Sequence, residues 1–255
     1  MIYIDSKENN TFKKIKKYRT KKYRDKDRRF LAEGVKFLDF DTVPEYILID
    51  KNFSENEEIL EKVKKFKESE IIILSEGLFS QLSSQENSQG VILVYEYKEH
   101  DINNVEDNII VLDRVGDPGN LGTIIRTADA SGYKDIILTK GSVDAYNEKT
   151  VRSTMGSIFN VRLYYIEEET LLKFLKEKEY KIISTVLSDD CIPYTDMKLN
   201  KKNAIIFGNE GSGIGENIVN HSDEKVIIPI YGTAESLNVA MACGIIMYKC
   251  RELLK

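Results

Sequence analysis

Three cysteines, two histidines and the absence of any long apolar run are the first features of this 255-residue sequence. Cys191, Cys243 and Cys250 are odd in number and form no C-x-x-C pair, which excludes a disulfide framework and gives no support to a zinc ribbon. His100 and His221 lie in polar stretches and are too few for most histidine-based metal sites or for a catalytic triad, so no metal is expected. The apolar stretches at 71–74 and 109–112 fall far short of the roughly 18 residues that a spanning helix requires. The opening residues Met1-Ile2-Tyr3-Ile4-Asp5 lack the apolar region of a signal peptide. There is no internal repeat and no low-complexity tract. A cytoplasmic protein without a membrane partner is expected.

What is present is an ordinary globular composition, 42% hydrophobic and 31% charged, long enough for one large domain or two modest ones. The net charge of −5 is unevenly spread. Between Lys13 and Arg29 stand eleven basic residues, among them Lys13, Lys17, Arg19, Lys22, Arg24, Arg28 and Arg29, against Asp25 and Asp27; this local +9 leaves −14 on the remainder. Tyr18 and Tyr23 are interleaved with these cations. Aromatic faces among positive charges suit stacked bases and phosphates, and the segment equally fits a solvated basic helix or arm.

Periodicity divides the rest into two α/β parts. In the first, Phe30, Leu31, Val35 and Leu38 recur at helical spacing, as do Ile59, Val63 and Phe66, with strands expected at 46–49, 71–74 and 91–95 and a short helix at 78–82. The polar, nonperiodic stretch 98–108 is the expected linker, giving domains at 1–98 and 109–255 joined through 99–108. The second part has strand candidates at 109–112, 135–139, 161–166, 181–187, 204–207 and 226–230, with helical stretches at 121–131, 148–158 and 170–178. Such alternation argues for a mainly parallel sheet covered on both faces, with ligands beyond the carboxyl ends of its strands.

Three segments fall at those ends. The first, Asp113-Arg114-Val115-Gly116-Asp117-Pro118-Gly119-Asn120, turns into a helix that carries Arg126, and Asn120 is placed to cap it. Alone, it also reads as a common glycine-rich βα turn with a surface arginine. The second, Gly208-Asn209-Glu210-Gly211-Ser212-Gly213-Ile214-Gly215, permits close backbone approach to a ligand. It matches neither the G-x-G-x-x-G dinucleotide fingerprint nor a Walker A loop, which disfavours a nucleotide-binding oxidoreductase. The third runs from Ile227-Ile228-Pro229-Ile230 through Gly232 to Ser236-Leu237-Asn238-Val239-Ala240, with Ser236 a plausible cap for the final helix. The apolar stripe of that helix is also what simple core packing requires.

In this order and spacing, N-L-G-x-x-x-R-T-A, F-G-N-E-G-x-G and I-P-I-x-G-x-x-x-S-L-N-V-A strongly resemble the three motifs of the SpoU or TrmH family of SPOUT RNA ribose methyltransferases, over residues 107–255. Phe30-Leu31-Ala32-Glu33-Gly34-Val35-Lys36 resembles, less specifically, the opening of the L30e-like substrate-binding domain of many members. The resemblance implies an N-terminal L30e-like α/β domain and a C-terminal α/β fold with a deep trefoil knot, formed where the second and third loops cross. It implies transfer of a methyl group from S-adenosylmethionine to a ribose 2′-hydroxyl, with Gly208, Gly211, Ile228 and Leu237 at the adenosine. Arg126 becomes the central catalytic residue, surrounded by Asn120, Glu210, Ser236 and Asn238, with Glu210 paired to Arg126 and Asn238 holding ribose or phosphate. Arg152 matches a position facing RNA or a partner subunit, and also reads as an exposed helix arginine. The resemblance further implies a homodimer packed through the last helix and the first-motif helix, and an RNA substrate, with rRNA favoured over tRNA. A catalytically silent RNA-binding scaffold is the rival, opposed by the joint presence of the five polar residues.

Overall fold

The computed structural model describes residues 1–97, 99–188 and 190–254. Packing divides them into two compact units: the described part of Met1–Lys98 together with Asp144–Phe159, and Glu99–Val143 together with the described part of Asn160–Lys255.

The first unit runs β1 (Ile2–Ile4), α1 (Asn10–Lys17), α2 (Lys21–Asp27), β2 (Arg29–Glu33), β3 (Tyr46–Asp50), α3 (Glu57–Val63), β4 (Glu70–Leu74), α4 (Glu76–Leu82) and β5 (Val91–Glu96). Its sheet has the order β1-β4-β3-β5-β2; β1, β4 and β3 are parallel, and β5 is antiparallel to both β3 and β2. Phe30 and Leu31 therefore lie in a strand, not in the helix that their spacing suggested, because they sit in register with Tyr95 and Val94 of β5. The basic segment is not an arm. Asn9 caps α1, its side chain accepting from the N–H groups of Thr11 and Phe12 at 2.9 and 3.1 Å. Phe12, Ile15 and Tyr18 recur every third residue and are buried against Leu48, Leu74 and Phe79. The lysines between them line the opposite, solvated face.

The second unit runs β6 (Asn108–Leu112), α5 (Pro118–Ala130) and β7 (Asp135–Thr139), and resumes after α6 (Glu148–Ser153) with β8 (Arg162–Ile166), α7 (Glu168–Glu177), β9 (Lys181–Thr185), β10 (Ile192–Pro193), β11 (Asn203–Phe207), α8 (Glu216–Asn220), β12 (Glu224–Ile227) and α9 (Val239–Leu253). All its strand pairs are parallel, in the order β10-β12-β9-β11-β6-β7-β8. Alternate residues such as Ile109, Val111, Ile137, Ala204 and Ile206 share one face, which Leu171, Phe174 and Leu175 of α7 and Ile218 of α8 cover. Helices α5 and α9 pack on each other. The stretch 99–108 is part of this unit rather than a free connector. Ile102 and Val105 pack against its core, and the Glu106 N–H donates to the buried Asp135 carboxylate at 2.7 Å.

Residues 144–159, expected inside the second domain, pack with the first unit. Phe159 sits among Phe30, Phe37, Phe40 and Tyr95, with ring centroids 4.7 to 6.3 Å away, and Tyr146 stacks on Tyr97 at 4.1 Å. Arg24, 4% exposed, reaches Asp144 at 2.5 Å and donates to the Tyr18 carbonyl at 2.9 Å. Glu148 pairs with Arg19 at 3.3 Å, and burial pushes its carboxyl upward against that cation.

Candidate active site

Loops 113–117, 208–215 and 228–238 leave the carboxyl ends of β6, β11 and β12. From β6 the sheet continues to β7 and β8 on one side, whereas β11 and β9 lie on the other. The strand order therefore reverses between β6 and β11, the position at which open parallel sheets bind ligands.

The second loop is tight. Asn209 and Gly213 exchange backbone hydrogen bonds at 3.0 Å, and the Asn209 carboxamide oxygen accepts from the N–H groups of Gly211 and Ser212 at 2.9 and 3.0 Å. Gly213 has φ +67°, and a Cβ at Gly208 would stand 2.2 Å from the backbone of Gly213 and Ile214. Glycine is thus required where the loop folds back on its own strand end. The turn projects Glu210 towards the first loop. Its carboxylate accepts from the N–H groups of Gly116 and Asp117 at 3.1 and 3.3 Å and from the Asn120 side-chain amide at 2.9 Å. Burial pushes this carboxyl up, but the Asn120 amide and the backbone donors outweigh burial and hold it below its ordinary value.

Asn120 then accepts from the Asn238 side-chain amide at 2.9 Å, so Glu210, Asn120 and Asn238 form one chain across the three loops. Two expected caps are corrected. Asp117 caps α5, accepting from the Asn120 N–H at 2.8 Å ahead of Pro118, which leaves the Asn120 carboxamide free for Glu210 and Asn238. Asn238, not Ser236, caps α9, accepting from the N–H groups of Ala240 and Met241. The expected Glu210–Arg126 pair is replaced by these contacts. Arg126 stands exposed on α5, with no hydrogen bond or ion pair to any described side chain.

Beside this chain lies a cavity of about 780 Å³, within the range of small-molecule sites. Gly208, Gly211, Ile228, Leu237, Glu210, Ser236 and Asn238 all line it; Asn120 and Arg126 do not. Val186, Leu187 and Ile230 add apolar surface. Glu210 and Glu235 contribute the only ionisable groups among the described lining residues, with no lysine or arginine. Apolar walls for a flat base and carboxylates without cations fit a molecule that carries a positive sulfonium, so the residues present fit S-adenosylmethionine. Glu235 was missed at the sequence level, as were Asp113, Arg114 and Asn209, which make the loop geometry; the only signal of the last three was a position just beyond the ends of β6 and β11.

The basic residues of the first unit separate by environment. Lys22 is exposed, Lys13 pairs with exposed Glu8, and Lys17 lies over the Tyr23 ring at 5.5 Å. Arg19 donates to the Gln81 carbonyl at 2.8 Å besides its pair with Glu148. Arg28 is exposed, with φ 52° at the end of α2, and Arg152 is half-buried on α6. Arg29 is held by Glu45 at 2.5 Å. Arg24 is a correction to the expected RNA contacts, since its guanidinium is buried on Asp144. Tyr18 is buried as well and offers no face to a base.

A parallel sheet with a cavity beyond the carboxyl ends of β9, β11 and β12 and a polar chain on its rim fits an α/β enzyme that works beside a bound small molecule. Residues 107–248 match the SpoU rRNA methylase family and residues 9–93 the MRM3-like substrate binding domain. The chain is 34% identical over 257 residues to the 23S rRNA (guanosine(2553)-2′-O)-methyltransferase RlmP of Bacillus subtilis, covering 98% of this chain and all of that one. It is 32% identical to the tRNA (guanosine(18)-2′-O)-methyltransferase of Aquifex aeolicus over 58% of this chain and 70% of that one. A crystal structure of an AdoMet-bound rRNA methyltransferase from Sinorhizobium meliloti superposes with a TM-score of 0.85 at 29% identity, covering 99% and 98% of the two chains. The chain belongs to the SpoU rRNA methylase family. Its activity is S-adenosylmethionine-dependent methylation of RNA at the ribose 2′-hydroxyl.

Proposed function

We propose that this enzyme methylates a nucleotide of 23S rRNA, in the cytoplasm and as a homodimer. The observation that carries catalysis is the Glu210–Asn120–Asn238 chain on the rim of the cavity. The preference for rRNA over tRNA is supported by the span of the likeness: the 23S rRNA enzyme matches end to end, whereas the tRNA enzyme matches little more than half of this chain.

S-adenosylmethionine, when bound, would supply an electrophilic methyl group to the ribose 2′ oxygen, with the sulfur leaving as a thioether and the hydroxyl proton passing to solvent water. Gly208, Gly211, Ile228 and Leu237 hold the adenosine within a deep trefoil knot formed by loops 208–215 and 228–238. Arg126 stabilises the developing 2′ oxyanion as a fixed cation, a guanidinium being too weak an acid to serve as a base at neutral pH. Ser236 and Asn238 position the ribose and its phosphate, and Glu210 keeps Asn120 and thereby Asn238 in place. Replacing Arg126 with Ala is expected to abolish methyl transfer while calorimetry shows S-adenosylmethionine affinity nearly unchanged; an active variant sinks the assignment.

RNA phosphates are gripped by Lys13, Lys17, Arg19, Lys22, Arg28, Arg29 and Arg152. The dimer packs through α9 and α5, which is supported by the bare stripe of Met241, Ile245 and Tyr248, 56%, 38% and 52% exposed. Ile245→Glu is expected to yield monomers by sedimentation. The decisive experiment maps 2′-O-methyl groups on 23S rRNA and tRNA from cells with and without the gene. One lost rRNA methyl group is expected, and loss from tRNA alone overturns the choice of substrate.

A further inference from the structure

The Glu210 loop is held from below by a carboxylate that the proposed chemistry does not use. Asp113 is fully buried, immediately after β6. One of its oxygens accepts from the Thr139 hydroxyl at 2.7 Å, at the end of β7. The other accepts from the Gly215 N–H at 2.8 Å, where the Glu210 loop ends, and from Nη2 and Nε of Arg114 at 2.9 and 3.1 Å. Arg114 carries the same connection to the loop's other arm. Its Nη2 donates to the Gly213 carbonyl at 3.3 Å, and its own carbonyl accepts from the Asn209 side-chain amide at 2.8 Å. Arg114 makes both contacts from a left-handed backbone at φ 56°, and its N–H donates to the Thr139 hydroxyl at 3.0 Å.

Every anchor of loop 209–215 on the first motif thus passes through Asp113 or Arg114, apart from Glu210's own contacts. A carboxylate that accepts from a hydroxyl, a backbone N–H and a guanidinium has no isosteric amide substitute, because an amide would turn a donor towards one of these donors. We propose that Asp113, with Arg114 and Thr139, is a positioning group for methyl transfer: it fixes loop 209–215 so that Glu210 holds Asn120 and Asn238 at the cavity rim. The kinetic part rests on the methyltransferase reading; the anchoring of the loop does not.

The test compares Thr139→Val, Thr139→Ser and Asp113→Asn with wild type. Thr139→Val keeps the side-chain volume and removes the hydroxyl that Asp113 and the Arg114 N–H share. It is expected to lower kcat about tenfold with the KM for RNA unchanged, while Thr139→Ser restores wild-type turnover. Amides of loop 209–215 are expected to exchange about tenfold faster in Thr139→Val and Asp113→Asn, with those of α9 unchanged. In the pair with Glu210→Gln, the kcat losses are expected not to add, since both act on one element. Unchanged loop exchange in Thr139→Val overturns the anchoring whatever wild type methylates. Additive losses, or a raised KM with kcat preserved, overturn the positioning role. Wild type that methylates no RNA overturns the methyltransferase reading and leaves the exchange result to decide the anchoring.

Discussion

At the scale of single residues, Gly208 and Arg24 show how differently two positions in recognisable segments are constrained. Gly208 has no room for a side chain, the nearest atoms being backbone that flexing a neighbouring side chain cannot clear. Gly208→Ala is expected to displace the Glu210 loop and weaken S-adenosylmethionine binding more than about tenfold in a calorimetric titration. Arg24 reads in the sequence as one of eleven equivalent cations, yet it is buried on Asp144. Removing one partner of such a pair leaves a carboxylate stranded in a poorly solvated place, so Arg24→Ala is expected to cost about 3–5 kcal/mol in urea unfolding. Lys22→Ala, on the exposed face, is expected to leave stability unchanged and to lower the salt slope of RNA binding by about one.

Among elements, those with a buried face on both sides were the most legible. Six of the seven parallel strands of the second unit fall within a few residues of where their apolar runs placed them, whereas the two-residue β10 has no apolar run to mark it. The motif loops were legible as loops, but their internal contacts were not: which of Asp117 and Asn120 caps α5 depends on one hydrogen bond, and both residues are good caps. The buried face of α1 was hidden by the lysines around it, whose density outweighed the three-residue period of Phe12, Ile15 and Tyr18. Ile15→Ala is accordingly expected to destabilise the first unit by about 2–5 kcal/mol in a denaturant titration, unlike removal of a flexible arm. The same helix joins β2 through Glu45, which accepts from Lys14 at 3.0 Å and Arg29 at 2.5 Å. Burial pushes the Glu45 carboxyl up, but the two cations hold it below its ordinary 4.5. A carboxyl lowered on folding stabilises above that ordinary value and loses its contribution as pH falls through the lowered one. Wild type should therefore lose stability below pH 4.5 more steeply than Glu45→Gln in thermal melts across pH.

On the scale of the whole molecule, the segment 144–159 was the least legible part, since nothing local marks a stretch between two strands of one sheet as core for another unit. Its dependence on Phe30, Phe37, Phe40 and Tyr95 is a matter of ring contacts between residues more than sixty positions apart in sequence. A fragment ending at residue 97 would leave those rings without Phe159 and Tyr146, and is expected to bind a hydrophobic dye and to melt without a sharp transition, whereas the full chain melts cooperatively. The chain consequently passes between the two units three times, near 98, 143 and 159, rather than once. That interleaving limits how such an enzyme can be recombined. A substrate-binding part cannot be exchanged by a single cut at the connector without parting from the piece that completes it. A working chimera would have to carry residues 144–159 with the N-terminal part, as two inserts from the same parent.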